Sequence, residues 1–343
     1  MALFSEEPKF DFIGKRWYAV AVSMVIITIG VVAIVIRGGL PLGIDFSGGT
    51  LMVLEFEEPM TEESVRDALA AIDEKVVQQY GDSGAGVLIR LPQAGPEQGA
   101  SLEEGAEQVI DTLEASGLGA FEVVSRDLVG PVIGQELQQR GISAFFFAMA
   151  GILIYVGLRF RFSFGVGAIV AVVHDILITL SLLTLFGIDL SLNVVAAMLT
   201  ITGYSVNDSI VVFDRVRENL RLMRRDKFDY LVNKSINQTL ARTIITSGTT
   251  GFAVLALAVF GGEVLRGFSI TMLIGVFSGT YSTIFIASST AIAITHRRTA
   301  ARSQSSAVQE REPKGSQESP RSRSRRPQRA QRSKRHGRKA RAS

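Results

Sequence analysis

The sequence predicts a membrane α-helical protein, a bundle of six spans carrying one small external α+β domain. Three observations carry this reading. Hydrophobic residues make up 47% of the 343 and charged residues only 20%, and the mean hydropathy is +0.28. Six apolar stretches approach or exceed the length of about 20 residues that a bilayer crossing needs. One long hydrophilic insertion separates the first stretch from the second. The chain has no cysteine, which excludes disulfides, thiolate metal sites and cysteine nucleophiles. With three histidines, no metal centre is expected.

Taken in order, residues 1–16 form a short leading segment and 17–36 the first span, uncharged from Trp17 to Ile36 and ended by Arg37, Gly38 and Gly39. Lys15 and Arg16 precede it as they would a signal peptide. Its apolar stretch is too long for one, and no small-x-small cleavage site follows, so it reads as an anchor. The remaining spans fall at 142–158, 164–187, 191–213, 241–261 and 268–294.

The insertion at 37–141 reads as a small folded domain. Gly49 to Glu57 alternates as a strand, and Thr61 caps a helix to about Ile72, with Glu62 and Glu63 suited to its positive end. Val76–Tyr80 and Val87–Leu91 read as a hairpin around Gly81, Gly84 and Gly86. Ser101 with Glu104 is a capping-box pattern opening a helix to about Ala115, and Phe121–Val129 is a closing strand. The order β-α-β-β-α-β is the split βαβ, ferredoxin-like arrangement. Its acidic residues read as a solvated face, and no drug-sized pocket is expected within it.

Orientation follows from Lys and Arg in the connections. The 159–163 turn holds Arg159 and Arg161 and no acid, and Asp214–Leu240 holds seven basic against four acidic residues. The tail from Arg297 holds 16 basic and 3 acidic residues. Alternating spans put these three segments on one side, the cytoplasm, with both termini. Residues 37–141, with 6 basic and 19 acidic residues, fall outside. The tail, 296–343, is too poor in apolar residues to bury a core and is expected to be disordered. It reads either as a topology-fixing solvated tail or as a contact for anionic lipid or RNA.

No P-loop, H-E-x-x-H or G-x-S-x-G pattern occurs, and Gly165-Val166-Gly167 lacks the third glycine of a dinucleotide fingerprint. Neither catalysis nor a cofactor is expected. The informative residues are ionisable groups inside spans, each costing about 2.5–3.5 kcal/mol at the bilayer centre unless it faces the interior with a partner. Asp208 lies in the fourth span, on one helical face with Asn193, Ala197, Thr200 and Tyr204. That stripe can hold waters or pass protons. Arg242 opens the fifth span at a compatible depth, where it can pair with Asp208 or merely snorkel. His174 and Asp175 in the third span read either as relay members or as a hydrogen-bonded interior pair. Asn207 sits beside Asp208. Gly275, Ser278, Gly279 and Ser282 read as packing contacts of the sixth span.

Several motifs together resemble the SecF family, protein-export membrane subunits of the SecD–SecF complex in the RND superfamily. They are Gly43-Ile44-Asp45-Phe46-Ser47-Gly48-Gly49-Thr50, Gly130-Pro131-Val132-Ile133-Gly134, Val173-His174-Asp175 and Gly203-Tyr204-Ser205-Val206-Asn207-Asp208-Ser209. Val212-Phe213-Asp214-Arg215-Val216-Arg217-Glu218-Asn219 and Thr239-Leu240-Ala241-Arg242-Thr243-Ile244-Ile245-Thr246-Ser247 complete the set. Ala241 departs from the Ser frequent there, and the basic tail lies outside the shared region.

The resemblance implies a six-span RND-type half-transporter in the bacterial plasma membrane, completed by SecD. It implies use of the proton-motive force to help secreted polypeptides leave SecYEG after SecA has started them, with YajC- or YidC-type auxiliary partners. It places the proposed proton step on Asp208 and Arg242, with His174, Asp175, Tyr204 and Asn207 around them. Asp45, Phe46, Gly48 and Gly49 become an interface or hinge motif with no catalytic part. Two alternatives stand beside it: half of an RND-type small-molecule exporter, and a non-transporting scaffold that stabilises the translocon.

Overall fold

A computed structural model describes residues 8–72, 75–81, 83–91 and 100–311. The chain begins with α1 (Arg16–Ile36), a single turn α2 (Ile44–Ser47), β1 (Gly49–Phe56), α3 (Glu62–Ala68), β2 (Val76–Tyr80) and β3 (Gly86–Leu91). It continues through α4 (Ala100–Ser116), β4 (Phe121–Val129), α5 (Pro131–Arg159), α6 (Phe162–Leu185), α7 (Leu192–Leu222) and α8 (Phe228–Phe260). The last long helix is α9 (Gly262–Ser282), a π-helical turn Thr283–Ala287 and α10 (Ser288–Arg311). Six helical stretches among the described residues are long and apolar enough to cross a membrane.

The bundle has an inner and an outer layer. Half or more of the apolar window is buried in α6, α7 and the α9–α10 span, against 11% or less in α1, α5 and α8. Small residues let the inner helices close. A Cβ on Gly275 would lie 2.2 Å from Ile201, and one on Gly279 3.1 Å from Ser205. α1 is fastened to the inner layer by Gly30 against Ser181 and by the Tyr281 hydroxyl, which donates to the Ala19 carbonyl.

The four strands form an antiparallel sheet of order β2-β3-β1-β4, the ferredoxin-like order. Met52, Leu54, Val65, Leu69, Val77, Val87, Ile89, Ala106, Val109 and Leu113 make its core. The Thr61 hydroxyl accepts from Ser64 N at 3.2 Å, capping α3. The side chain of Ser101, expected to cap α4, lies outside the described residues.

Four boundaries differ from the sequence reading, each for a physical reason. α5 starts at Pro131, inside the segment expected to be wholly external, because Pro at the first helical position has its φ preset and needs no N–H partner. α7 and α8 run on through the Asp214–Leu240 connection, leaving only 223–227 between them. Their polar continuations pack on each other: Asn219 donates to Ser235 at 2.8 Å and to Gln238 at 2.9 Å, and Arg215 donates to Gln238 at 2.7 Å. α10 reaches Arg311, so the first third of the expected disordered tail is helical. Its Ala, Arg, Gln and Glu residues extend an already nucleated helix at little cost. Residues 312–343 lie outside the described residues. The leading segment is bound to the bundle. Asn237 Oδ1 accepts from Phe10 N and Asn233 Oδ1 from Phe12 N, both at 2.9 Å, while Phe12 packs on Phe285 and Ile13 is buried.

Candidate functional site

Three ionisable side chains of the spans, His174, Asp175 and Asp208, are buried in the inner layer. α7 and α8 run antiparallel, and residues one turn apart on each make successive rungs. The Tyr204 hydroxyl donates to Ser247 at 3.1 Å, and Ser247 pairs with Thr280 at 2.7 Å. One turn on, Thr243 donates to Asp208 Oδ1 at 3.0 Å. Beyond lie the Arg215–Gln238 and Asn219–Ser235 bonds described above. Asp208 is 7% exposed, and its other oxygen, Oδ2, is buried without a hydrogen-bond partner. That is an open acceptor where dielectric is low, the circumstance in which an unpaired polar group is most costly.

This corrects two expectations. The partner of Asp208 is Thr243, not Arg242. Arg242 is exposed on α8, because a residue one position away on a helix points about 100° round the axis. The polar stripe is also shorter than expected. Tyr204 and Asp208 face α8, but Thr200 is exposed and its hydroxyl returns to the Ala196 carbonyl at 2.8 Å. At that depth the neighbour of α7 is α9, whose Gly275 packs on Ile201. Asn207 is exposed as well.

A second carboxylate lies close by in a different state. Asp175, 1% exposed, accepts at Oδ1 from Ser278 at 2.7 Å and at Oδ2 from Ser205 at 2.6 Å and Ser282 at 2.7 Å. His174 Nδ1 lies 3.1 Å from Oδ1. Asp175 thus joins α6, α7 and α9 at one point. His174 is 5% exposed, faces the Tyr281 ring with centroids 6.0 Å apart, and keeps Nε2 buried without a partner. Ser278 and Ser282, expected to pack, are ligands of this carboxylate. Their spacing of four residues in an apolar span was the available signal. Just beyond Ser282 the helix widens into the π turn, where Thr283 pairs with Ser209 at 3.1 Å. Nothing in the sequence marks that turn, although such turns are frequent at functional sites.

At the opposite end of the bundle from the leading segment, residues 41–48 lie against the turn between α6 and α7. Gly43 N donates to the Leu190 carbonyl and Leu190 N to the Pro41 carbonyl, both at 2.7 Å. Asp45 Oδ2 accepts from Leu192 N at 2.8 Å, at the first residue of α7. Phe46 is buried among Leu183, Leu190, Val194 and Met198. Gly48 and Gly49 have φ of +73° and +123°, which favours residues without a Cβ. Here the sheet and the bundle enclose a cleft of about 770 Å³, lined by Leu51, Leu88, Asp127, Phe186 and Phe268 among others. No drug-sized pocket is expected within the domain itself; the space lies beneath it. Across the cleft Arg90 forms an ion pair with Asp189 and donates to the Leu42 carbonyl at 3.2 Å. Burial pulls the Arg90 pKa below its ordinary value.

No group of three or more potential metal-ligating side chains occurs among the described residues. A buried carboxylate with one open oxygen, beside hydroxyls on the neighbouring helices, is an arrangement able to take up a proton.

Residues 108–297 match the family described as Protein export membrane protein SecD/SecF, C-terminal, and residues 32–60 match the SecD/SecF GG Motif. The chain is 43% identical to the protein translocase subunit SecF of Desulfurispirillum indicum, over 81% of this chain and 89% of that one. It is 40% identical to the Escherichia coli O157:H7 subunit, over 84% and 89%. The protein translocase subunit SecDF of Thermus thermophilus is 39% identical over 86% of this chain and 40% of its own length. A crystal structure of SecDF from that organism, described as a translocon-associated membrane protein, superposes with a TM-score of 0.75. It has 37% identity and covers 86% of this chain and 40% of that one.

Proposed function

Because the chain belongs to the SecD/SecF family of protein-export membrane proteins, we propose that it uses the proton-motive force to assist secreted polypeptides leaving SecYEG. Its place in Sec protein export, as a multi-pass membrane subunit with a translocase rather than an enzymatic role, follows from that membership. So does pairing with SecD, which the double-length SecDF relatives carry in one chain. SecA and any YajC- or YidC-type proteins are further partners in this proposal.

The carrying observation is Asp208, buried in α7 with one oxygen held by Thr243 and the other open. A proton arriving at Oδ2 neutralises the carboxylate and weakens its attraction for the Thr243 hydroxyl. α7 and α8 can then shift against each other. Departure of the proton to the other side restores the bond. One charge crossing 100 mV supplies about 2.3 kcal/mol, enough to bias a two-state element. Arg242, one residue from Thr243 and exposed, acts on this step through water or the partner half. Tyr204 and the hydroxyls of Ser247 and Thr280 continue the polar path from Asp208 across α8 to α9.

The orientation completes the proposal: both termini lie in the cytoplasm and the sheet domain outside. It is supported by the basic connections and by the meeting of Phe10 and Phe12 with Asn233 and Asn237 at one end of the bundle. The test is export in cells whose only copy carries Asp208→Asn, with SecD pairing and subunit levels measured alongside. Intact pairing with export reduced to the level of a deletion is expected. Normal export would overturn the proton step and leave a scaffold.

A further inference from the structure

The sheet domain touches the bundle through few points, and the most specific of them converge on the first turn of the helix that bears Asp208. The loop ahead of β1 is bound to the α6–α7 turn on both sides, by Gly43 N to Leu190 O and Leu190 N to Pro41 O. A Cβ on Gly43 would come within 2.9 Å of the Leu190 carbonyl. Asp45 then occupies the N–H of Leu192, beside the Ser191 hydroxyl that takes the N–H of Val194. Phe46 fills the space behind, against Val194 and Met198 of α7. Immediately after this attachment come Gly48 and Gly49, in conformations that side chains disfavour, and then β1 in the middle of the sheet. A Cβ on Gly134 would meet Gly48 N at 3.0 Å, so α5 closes the other side of this pivot.

We propose that Asp45 is the positioning residue that ties the sheet domain to α7, and that the Arg90–Asp189 pair is the catch holding the domain down over the cleft. This rests on the Asp208 reading above. Because α7 is one unbroken helix from Leu192 to Leu222, a displacement at Asp208 is carried to its first turn. There Asp45 and the paired backbone pass it to the loop, and the two glycines let the sheet swing rather than follow rigidly. The catch stands off to the side, between β3 and the α6–α7 turn. Its side chains are 14% and 24% exposed, and Arg90 Nε is buried without an acceptor. Closed, the pair removes Arg90 from water; open, it returns Arg90 to solvent and exposes the cleft. A third touch, the Arg266 guanidinium 5.1 Å from the Tyr80 ring, lies at the far edge of the sheet.

The absence of native cysteines allows a direct test in the SecD-paired protein. In the R90C/D189C double variant, a reducible bifunctional methanethiosulfonate reagent with a spacer about the length of the lost arginine side chain should join the two positions, which lie too far apart for a direct disulfide. The cross-link should lower export at least tenfold relative to the reduced protein, with recovery on adding reductant. Each single variant should be indifferent to the reagent. Equal export in the cross-linked and reduced forms, with the cross-link verified, would overturn the catch. Failure of the reagent to bridge two cysteines that each react with it would overturn their proximity. Asp45→Ala should reduce export several-fold with pairing intact, whereas Asp45→Asn, which keeps an acceptor oxygen for Leu192 N, should restore it. Equal export by both variants would overturn the role of Asp45. A blocked Asp208→Asn beside a freely exporting cross-linked pair would sink this proposal alone. A normally exporting Asp208→Asn would remove the reading beneath it.

Discussion

Asp175 and Asp208 are the same residue type, buried in adjacent inner helices of one bundle, and they are held in opposite ways. Asp175 has every oxygen engaged, by three serine hydroxyls and a histidine, on three helices. Asp208 has one donor and one empty oxygen. A carboxylate saturated with donors resists any change of charge or position, since each change strands several partners. One held by a single hydroxyl can accept a proton at the loss of one bond. The difference teaches that an ionisable residue within a span is not by itself a sign of transport. The count of donors around it separates a fastener from a working group.

The sharpest break of this comparison is Asp175→Ala. Three hydroxyls and His174 lose their common acceptor, and stranded buried polar groups cost about 1–3 kcal/mol each. Some of that returns through bonds to their own helix carbonyls, leaving a loss on the order of 3 kcal/mol or more. The expected outcome is a subunit that fails to accumulate and to pair with SecD, read by its level in membranes and its melting temperature in detergent. Stable protein with normal melting would make the cage dispensable and level the two carboxylates.

The spans and the order of the sheet domain were legible because the bilayer and the pleat impose strong periods. Uncharged runs such as Trp17–Ile36 admit few alternatives, and Gly81 and Gly84, with φ of +77° and +69°, announce their turn. Asp208 was legible for the same reason, as a charge in an apolar run. Its partner was not. Arg242 and Thr243 are neighbours in sequence, and which of them faces α7 depends on how α8 is rotated, a matter of packing along its whole length. The serines of the Asp175 cage look like the small packing residues they resemble in size. Arg90 and Asp189 lie 99 positions apart and are joined only by the fold, so no local pattern could pair them. The docking of Phe10 and Phe12 on Asn233 and Asn237 was hidden for the same reason.

Thr243→Val sharpens the comparison from the other side. The substitution is nearly isosteric and removes the one donor of Asp208, leaving both oxygens without a partner. Pairing and melting should change less than in Asp175→Ala, by about 1.5–3 kcal/mol for a bond to a charged group, because only one contact between α7 and α8 is lost. Export should fall several-fold, and Thr243→Ser should restore it. Full export by the valine variant would mean that Asp208 does not work through this hydroxyl.

Ser282→Ala is the smallest change and the most discriminating. It takes one donor from a carboxylate that retains Ser205, Ser278 and His174. Interhelical hydrogen bonds in membrane bundles average about 0.6 kcal/mol, so melting should drop slightly and export should stay near normal. A fastener with redundant donors tolerates the loss of one. If instead export fell as far as in Thr243→Val while pairing and melting held, Asp175 would be as sensitive to its donors as Asp208 is. The number of donors would then no longer divide the two carboxylates, and the π turn that follows Ser282 would belong to the moving part of the bundle.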